Sequence, residues 1–279
     1  MYKRWQYWIV SGSSQAIKDL NWLDRNIANN EFCCVSDITN AWAVFGVQGP
    51  DSRALLSDTL NHDMTTENFG FGSFQKIELG SACGYAARVS YVGELGWELY
   101  VPVDQARHAF DYLWNKGQSH GLTLAGMHAL DSCRMEKKFV HYGHDVAETD
   151  TPLECGMGFV CDLNKSEHFI GRDAILKQKE SGAFMKKRLV QFLLEDPEAM
   201  LYSHEPILRD GKIVGHLTSG NYGHTLGGSV GLGYIEVEDD ITKDYLESGK
   251  IEIDVAGVPV AAKASLVAQY DPKAERMRG

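Results

Sequence analysis

From Leu189 to the end the chain carries almost no helical signal. It reads instead as short apolar runs cut by turn residues: "RLVQFLLE", "PILRDGKIVGHLTSG", "SVGLGYIEV" and "KIEIDVAGVPVAAKASLV". Closely spaced runs of this kind read as strands. Asp210-Gly211 stands between two of them and is a strong signal for a two-residue hairpin. The expectation for this part is a small β-barrel or sandwich.

The preceding part is mixed. Helical periodicity recurs in "SSQAIKDLNWLDRNIANN", "GPDSRALLSDTL", "DQARHAFDYLWNKGQSHG" and "GMHALDSCRMEKKF". Strand signals lie between them, in "AWAVFGVQG", "FQKIELG", "GYAARVSYV" and "GWELYVP". Helices mixed with hairpin-linked strands give an α+β class, and the pattern changes at "ESGAFMKKR". Two units are expected, residues 1–184 and 185–279. The opening "MYKRWQYWIVSGSS" is too aromatic and its apolar run too short for a signal peptide, so it reads as a strand.

Composition narrows the function. With 27 Lys and Arg against 38 Asp and Glu the net charge is -11, and no basic run stands out, which disfavours a nucleic-acid backbone as partner. No stretch is long enough to span a membrane. The six cysteines (Cys33, Cys34, Cys83, Cys133, Cys155, Cys161) form no C-x-x-C pair and read as free thiols in a reducing compartment, with no metal site.

"YVGELGWELY" keeps carboxylates among glycines and aromatics. A hairpin with its tip between Gly93 and Gly96 sets Tyr91 opposite Glu98, so that a ring and an acid share a face. A carboxylate only accepts hydrogen bonds and is best served by two parallel N–H donors, as on a guanidinium or an amino-pyrimidine edge. For this stretch alone, a solvated Glu on an ordinary hairpin is the plainer reading. Arg134 falls on a helix with Leu130 and Met127 at i-4 and i-7, near an apolar face, and needs a partner; a buried ion pair is its plain reading and a rim aromatic that of Tyr142. His128, His141 and His144 lack metal spacing. The glycines of "VGHLTSGNYGHTLGGSVGLGYI" read as barrel corners, with close approach to a ligand as the alternative. No dinucleotide fingerprint, Walker loop or nucleophile elbow is present.

Taken in order, "VFGVQGPDSRALL", "SYVGELGWELY", "HALDSCRMEKKFVHYGHD", "DTPLECGMGFV", "FIGRDAIL" and "VGHLTSGNYGHTLGGSVGLGYI" resemble the glycine-cleavage T-protein (aminomethyltransferase) family. "GHDVAETDTPLECG" and Gly223-His224 make the chain most similar to the C-terminal folate domain of dimethylglycine and sarcosine dehydrogenases. The resemblance implies a T-protein-like folate-binding region followed by a C-terminal β-barrel. It implies tetrahydrofolate-dependent transfer of a one-carbon unit from an amine-derived donor. Tyr91 and Glu98 match the family's Y-x-G-E-x-G-x-E motif, where the Glu holds the pterin; Arg134 and Tyr142 match positions at the folate site.

In the dehydrogenases a separate flavin domain oxidises the N-methylamine, so FAD is expected only through another domain or a flavoprotein partner. The family's catalytic Asp belongs to a strand upstream of the segment that "RWQYWIVSGSS" resembles, and no catalytic residue is assigned here. Asp131 and Asp145, the conceivable replacements, read as a helix residue and a loop cap. Three readings stay open: part of a longer dehydrogenase, a split subunit, or a non-catalytic regulatory or interaction module that keeps the fold, like the regulatory subunit of pyruvate dehydrogenase phosphatase. The expected compartment is the cytoplasm or the mitochondrial matrix, with no targeting segment.

Overall fold

In the computed structural model, which describes residues 6–279, the N-terminal periodicities become helices around one antiparallel sheet. The order is α1 (Ala16–Arg25), β1 (Trp42–Gln48), α2 (Ser52–Thr59), β2 (Phe74–Leu79), β3 (Ala82–Ala87), β4 (Gly96–Pro102) and α3 (Ala106–Gly117). The strands lie side by side as β1-β4-β3-β2. Successive side chains of a strand point to opposite faces. Trp97, Leu99 and Val101 of β4 accordingly point to one core with Leu56 of α2, Leu113 of α3, and Phe69. β3 comes close enough to β4 that a Cβ on Gly84 would stand 2.2 Å from the Tyr100 carbonyl oxygen, so only glycine fits.

The opposite face is aromatic. Trp42, Phe74, Tyr85 and Tyr100 form a layer, and Trp8 lies across it with its ring 4.6 Å from Trp42 and 5.1 Å from Tyr85. This corrects the expectation of a strand at the N-terminus. Residues 1–5 lie outside the described part, and residues 6–12 pair with no strand. A large ring laid on other rings gains contact without needing a ladder.

The hairpin register also differs from expectation. Glu98 faces Ala87, not Tyr91, because β3 ends at Ala87 and residues 88–95 leave the sheet. Their anchors lie elsewhere: the Arg88 N–H donates to the Ser73 carbonyl, Gly93 at φ 77 lies against the Lys137 side chain, and Glu94 accepts from Tyr270. Contacts distant in sequence override the symmetric hairpin that local pattern favours.

The remaining elements are α4 (Met127–Glu136), α5 (Arg172–Ser181), β5 (Lys187–Leu194), β6 (Pro206–Arg209), β7 (Lys212–Gly223), β8 (Gly228–Glu236), α6 (Lys243–Glu247), β9 (Ile251–Val255), β10 (Val258–Ser265) and α7 (Glu275–Arg278). The strands close into a barrel in the order β10-β5-β8-β7-β6-β9. Its core holds Val190, Phe192, Ile207, Leu217, Ile235 and Ile253. Asp210 and Gly211 both take positive φ, 51° and 76°, and join the pair Arg209 and Lys212 as the hairpin signal required. Helix α5 lies outside the stretches read as helical, and none of its residues is buried.

Two connections fasten the barrel to the sheet. Met135 of α4 and Cys155 pack with Leu189, Val230 and Leu232 of the barrel strands. The tail after β10 runs back to the sheet: Lys137 pairs with Asp271, and Tyr270 Oη donates to Glu94 at 2.9 Å. The guanidinium of fully buried Arg88 donates to the carbonyls of Phe69, Arg278 and Gly279 at 2.8–2.9 Å.

Candidate functional site

The expected site residues are placed by α4, the loop that follows it, and β4. Helix α4 ends in a left-handed cap: the Lys138 N–H donates to Met135 O, the Phe139 N–H to Arg134 O, and Lys138 takes φ 56. The cap turns the chain into a loop, residues 139–146, that lies between α4 and β7.

Arg134 is 2% exposed, yet Leu130 is only half-buried and Met127 is 75% exposed, so the apolar face expected around it does not form. A polar nest takes its place. Nε donates to Asp131 Oδ1 at 2.7 Å, Nη1 to Asp145 Oδ2 at 2.5 Å and to the Phe139 carbonyl at 3.1 Å, and Nη2 to Ser219 Oγ at 3.1 Å. Nη2 also lies 2.7 Å from Asp131 Oδ1, so every direction of the fork is engaged within the protein. Burial by itself would lower the pKa of this guanidinium, but Asp145 and Asp131 outweigh it and raise the value. Asp145, 1% exposed, also accepts from the His141 N–H at 2.9 Å and from Thr218 Oγ1 at 2.6 Å. One ion pair thus ties helix, loop and barrel together.

Two further site residues meet the same loop. Tyr91 Oη donates to the Val140 carbonyl at 3.1 Å, and its ring stacks on Phe139 at 6.4 Å between centroids. Burial raises the pKa of its phenol. Tyr142 is covered by Lys18 of α1, whose Nζ stands 3.8 Å from the ring centroid. Glu98 sits apart, half-buried on the aromatic face of the sheet, where Oε2 accepts from Tyr100 Oη at 2.5 Å. Burial first, and then this carboxylate, raise the pKa of Tyr100.

Sequence reading did not single out Tyr100 or Phe139, and it noted Ser219 only with Gly220, as backbone that could approach a ligand closely. Tyr100 had a usable signal, because it lies two residues from Glu98 on one strand and must share its face. The pairing of the Ser219 hydroxyl with Arg134 had none, since the two lie 85 residues apart. The glycine-rich stretch is a set of close packings: a Cβ on Gly220 would stand 2.7 Å from Leu201, and buried Glu136 accepts from the N–H groups of Thr225 and Leu226 across the β7–β8 turn. A groove of about 650 Å³ runs along β7 between His204, His216, Thr218, Tyr234 and Glu236, and none of the four expected site residues lines it.

Among the described residues no group of His, Cys, Asp or Glu is arranged to hold a metal ion, and no helix is long and apolar enough to cross a membrane.

An antiparallel sheet unit and a six-stranded barrel, with a buried Arg–Asp pair where α4 and its loop meet the barrel, define a two-part architecture, and comparison with known proteins gives it a family. Residues 2–165 match the GCVT N-terminal domain and residues 187–271 the glycine cleavage T-protein C-terminal barrel domain. The chain belongs to the glycine-cleavage T-protein family.

It is 40% identical over 274 residues to a 4-methylaminobutanoate oxidase (formaldehyde-forming) of Paenarthrobacter nicotinovorans, covering 98% of this chain and 32% of that protein. It is 32% identical to the mitochondrial sarcosine dehydrogenase of Mus musculus, over 98% of this chain and 30% of that one. It is 34% identical to the mitochondrial pyruvate dehydrogenase phosphatase regulatory subunit of Mus musculus, over 93% and 31%. The chain therefore spans about a third of the length of these relatives. The crystal structure of glycine cleavage system aminomethyltransferase T from Bartonella henselae shares the fold with a TM-score of 0.73 at 21% identity, over 90% of this chain and 64% of that chain.

Proposed function

We propose that this chain is the tetrahydrofolate-binding part of a protein that transfers one-carbon units in glycine or N-methylglycine metabolism. The observation that carries the reading is Glu98, a carboxylate held by Tyr100 on a sheet face made of aromatic rings. A carboxylate beside flat rings fits a pterin: the acid accepts from the N–H groups of the amino-pyrimidine edge, and rings flank the heterocycle. Membership of the T-protein family supports the same ligand.

Each residue has a role in this reading. Glu98 orients the pterin, with Tyr100 fixing the carboxylate. Tyr91 and Tyr142 form aromatic walls on the loop. Arg134 has its donors occupied, so it acts as a positioning residue that holds the loop through Asp145. When bound, the folate supplies the nitrogen that takes up the one-carbon unit, and the protein contributes orientation and exclusion of water. The donor is a small amine-derived species produced by a flavoprotein domain or subunit that carries the FAD. Relatives named as mitochondrial make the matrix a fitting compartment.

The test is calorimetric titration of the chain with tetrahydrofolate, kept reducing and anaerobic. Saturable one-to-one binding is expected. Glu98→Gln should weaken it roughly ten- to hundredfold, because a charge-assisted hydrogen bond contributes about 1.5–3 kcal/mol, with little change in stability. Unchanged affinity in that variant would remove Glu98 from the site. A second reading, a regulatory or interaction module, draws on the internal saturation of Arg134 and on the regulatory-subunit relative. Absence of binding by a folded sample would favour it.

A further inference from the structure

Lys137 and Lys138 follow α4 and have opposite surroundings. Lys137 is buried and paired with Asp271. Lys138 occupies the left-handed position of the helix cap, φ 56, which glycine fills most easily because a side chain there crowds the backbone at a cost of about 1 kcal/mol. Its Nζ lies 3.5 Å from where a Cβ on Gly156 would stand, beside the buried thiol of Cys155. Among the described residues no acceptor bonds to this amine, and the residue is half-buried rather than sealed from solvent.

A strained residue keeping an unpaired, sheltered amine is an arrangement that packing alone does not call for. We propose that Lys138 is a carbonyl-reactive amine that takes up a small aldehyde of the formaldehyde class, on the loop where Tyr91 stacks against the next residue, Phe139. The choice of a one-carbon aldehyde rests on the function proposed above; the reactivity of the amine does not.

The chemistry requires a neutral amine. Burial lowers the pKa of Lys138 to about 8; Arg188 of β5 acts in the same direction, while Cys155 and Asp145 oppose it. The Nζ lone pair attacks the carbonyl carbon and forms a C–N bond, and the C=O π pair moves to oxygen, which collects the proton released by nitrogen. Loss of water from this carbinolamine gives the imine, and water returns both partners. No electrons change hands. A Cβ on Gly156 would meet the Lys138 Nζ in ordinary contact at 3.5 Å, so the glycine leaves a methyl-sized space beside the amine.

Reductive methylation of the full chain tests this without folate. The chain is exposed to limiting formaldehyde with cyanoborohydride, whose hydride converts the imine to N-methyl-lysine, and peptide mass spectrometry reads the rate at each lysine. At about pH 7.5 Lys138 should react at least tenfold faster than the exposed Lys212 and Lys273, and the advantage should shrink near pH 10, where ordinary lysines also lose their proton. A rate equal to or below that of those lysines would overturn the proposal. Lys138→Gly, whose new residue suits φ 56, should keep the fold and lose the fast site. Fast labelling in a chain that does not bind tetrahydrofolate would keep the amine and discard the one-carbon reading. Slow labelling in a chain that does bind would do the reverse.

Discussion

The barrel and the N-terminal sheet solve the same problem differently. The barrel closes β9 onto β10 and so leaves no strand edge, with Phe192, Ile207, Ile235 and Ile253 all fully buried. The sheet keeps β1 at an open edge with Val44 50% exposed, and α1 buries no residue. Ile9, Val10, Ile17 and Phe32 are exposed in the same stretch. A closed sheet completes its ladder from its own strands, whereas an open one depends on what lies beside it.

Substitutions can break or sharpen this contrast. Phe192→Ala should lower stability by about 3–5 kcal/mol, while Val44→Ala, on the open edge, should change it by less than about 0.5 kcal/mol. Urea unfolding monitored by circular dichroism measures both, and similar losses would erase the distinction. Arg134→Met strands Asp145 in the seam between the two regions and should cost about 3–5 kcal/mol in the same assay.

Removing residues 272–279 leaves the Arg88 guanidinium without three of its carbonyl partners, those of Met277, Arg278 and Gly279. About 2–3 kcal/mol should be lost, and calorimetry should resolve separate transitions for sheet and barrel. One unchanged transition would show that the tail is not the fastening.

Lys138→Gly should be the mildest change and run the other way, stabilising the chain at neutral pH by relieving the left-handed strain and the burial of an ammonium. The folded pKa, about 8, lies below the value of about 10.4 for an unfolded lysine. Between those values the unfolded chain binds more protons, so the wild type gains stability as pH rises from 8 towards about 10. The advantage of the variant should be constant below pH 8 and shrink above it, as read from urea midpoints across that range. A flat difference would show that the amine is charged in the fold.

The legibility of the sequence follows the same division. Barrel strands and the Asp210-Gly211 turn were readable because each rests on alternation and on turn residues a few positions apart. The α+β class and the helices with apolar stripes were readable for the same reason. Around the site the pattern gave less. The expected pairing of Tyr91 with Glu98 failed because residues 88–95 are anchored to the tail and to Lys137. Arg134 read as a charge in need of a partner; Asp131 stands three residues before it on the helix, but its other partners lie on the loop and on β7, the latter 85 residues on.

By itself the sequence determined the class of each region, the barrel hairpin, and the residue types that make a T-protein-like site conceivable. Those features depend on propensities and on side-chain periods of 2 and 3.6, which act over a few residues. The tertiary structure decided which strand Glu98 faces, what saturates Arg134, where Trp8 lies and what the tail fastens. Each of these is a choice of partner among distant groups, settled only when burial leaves a charge or a ring one place to be satisfied.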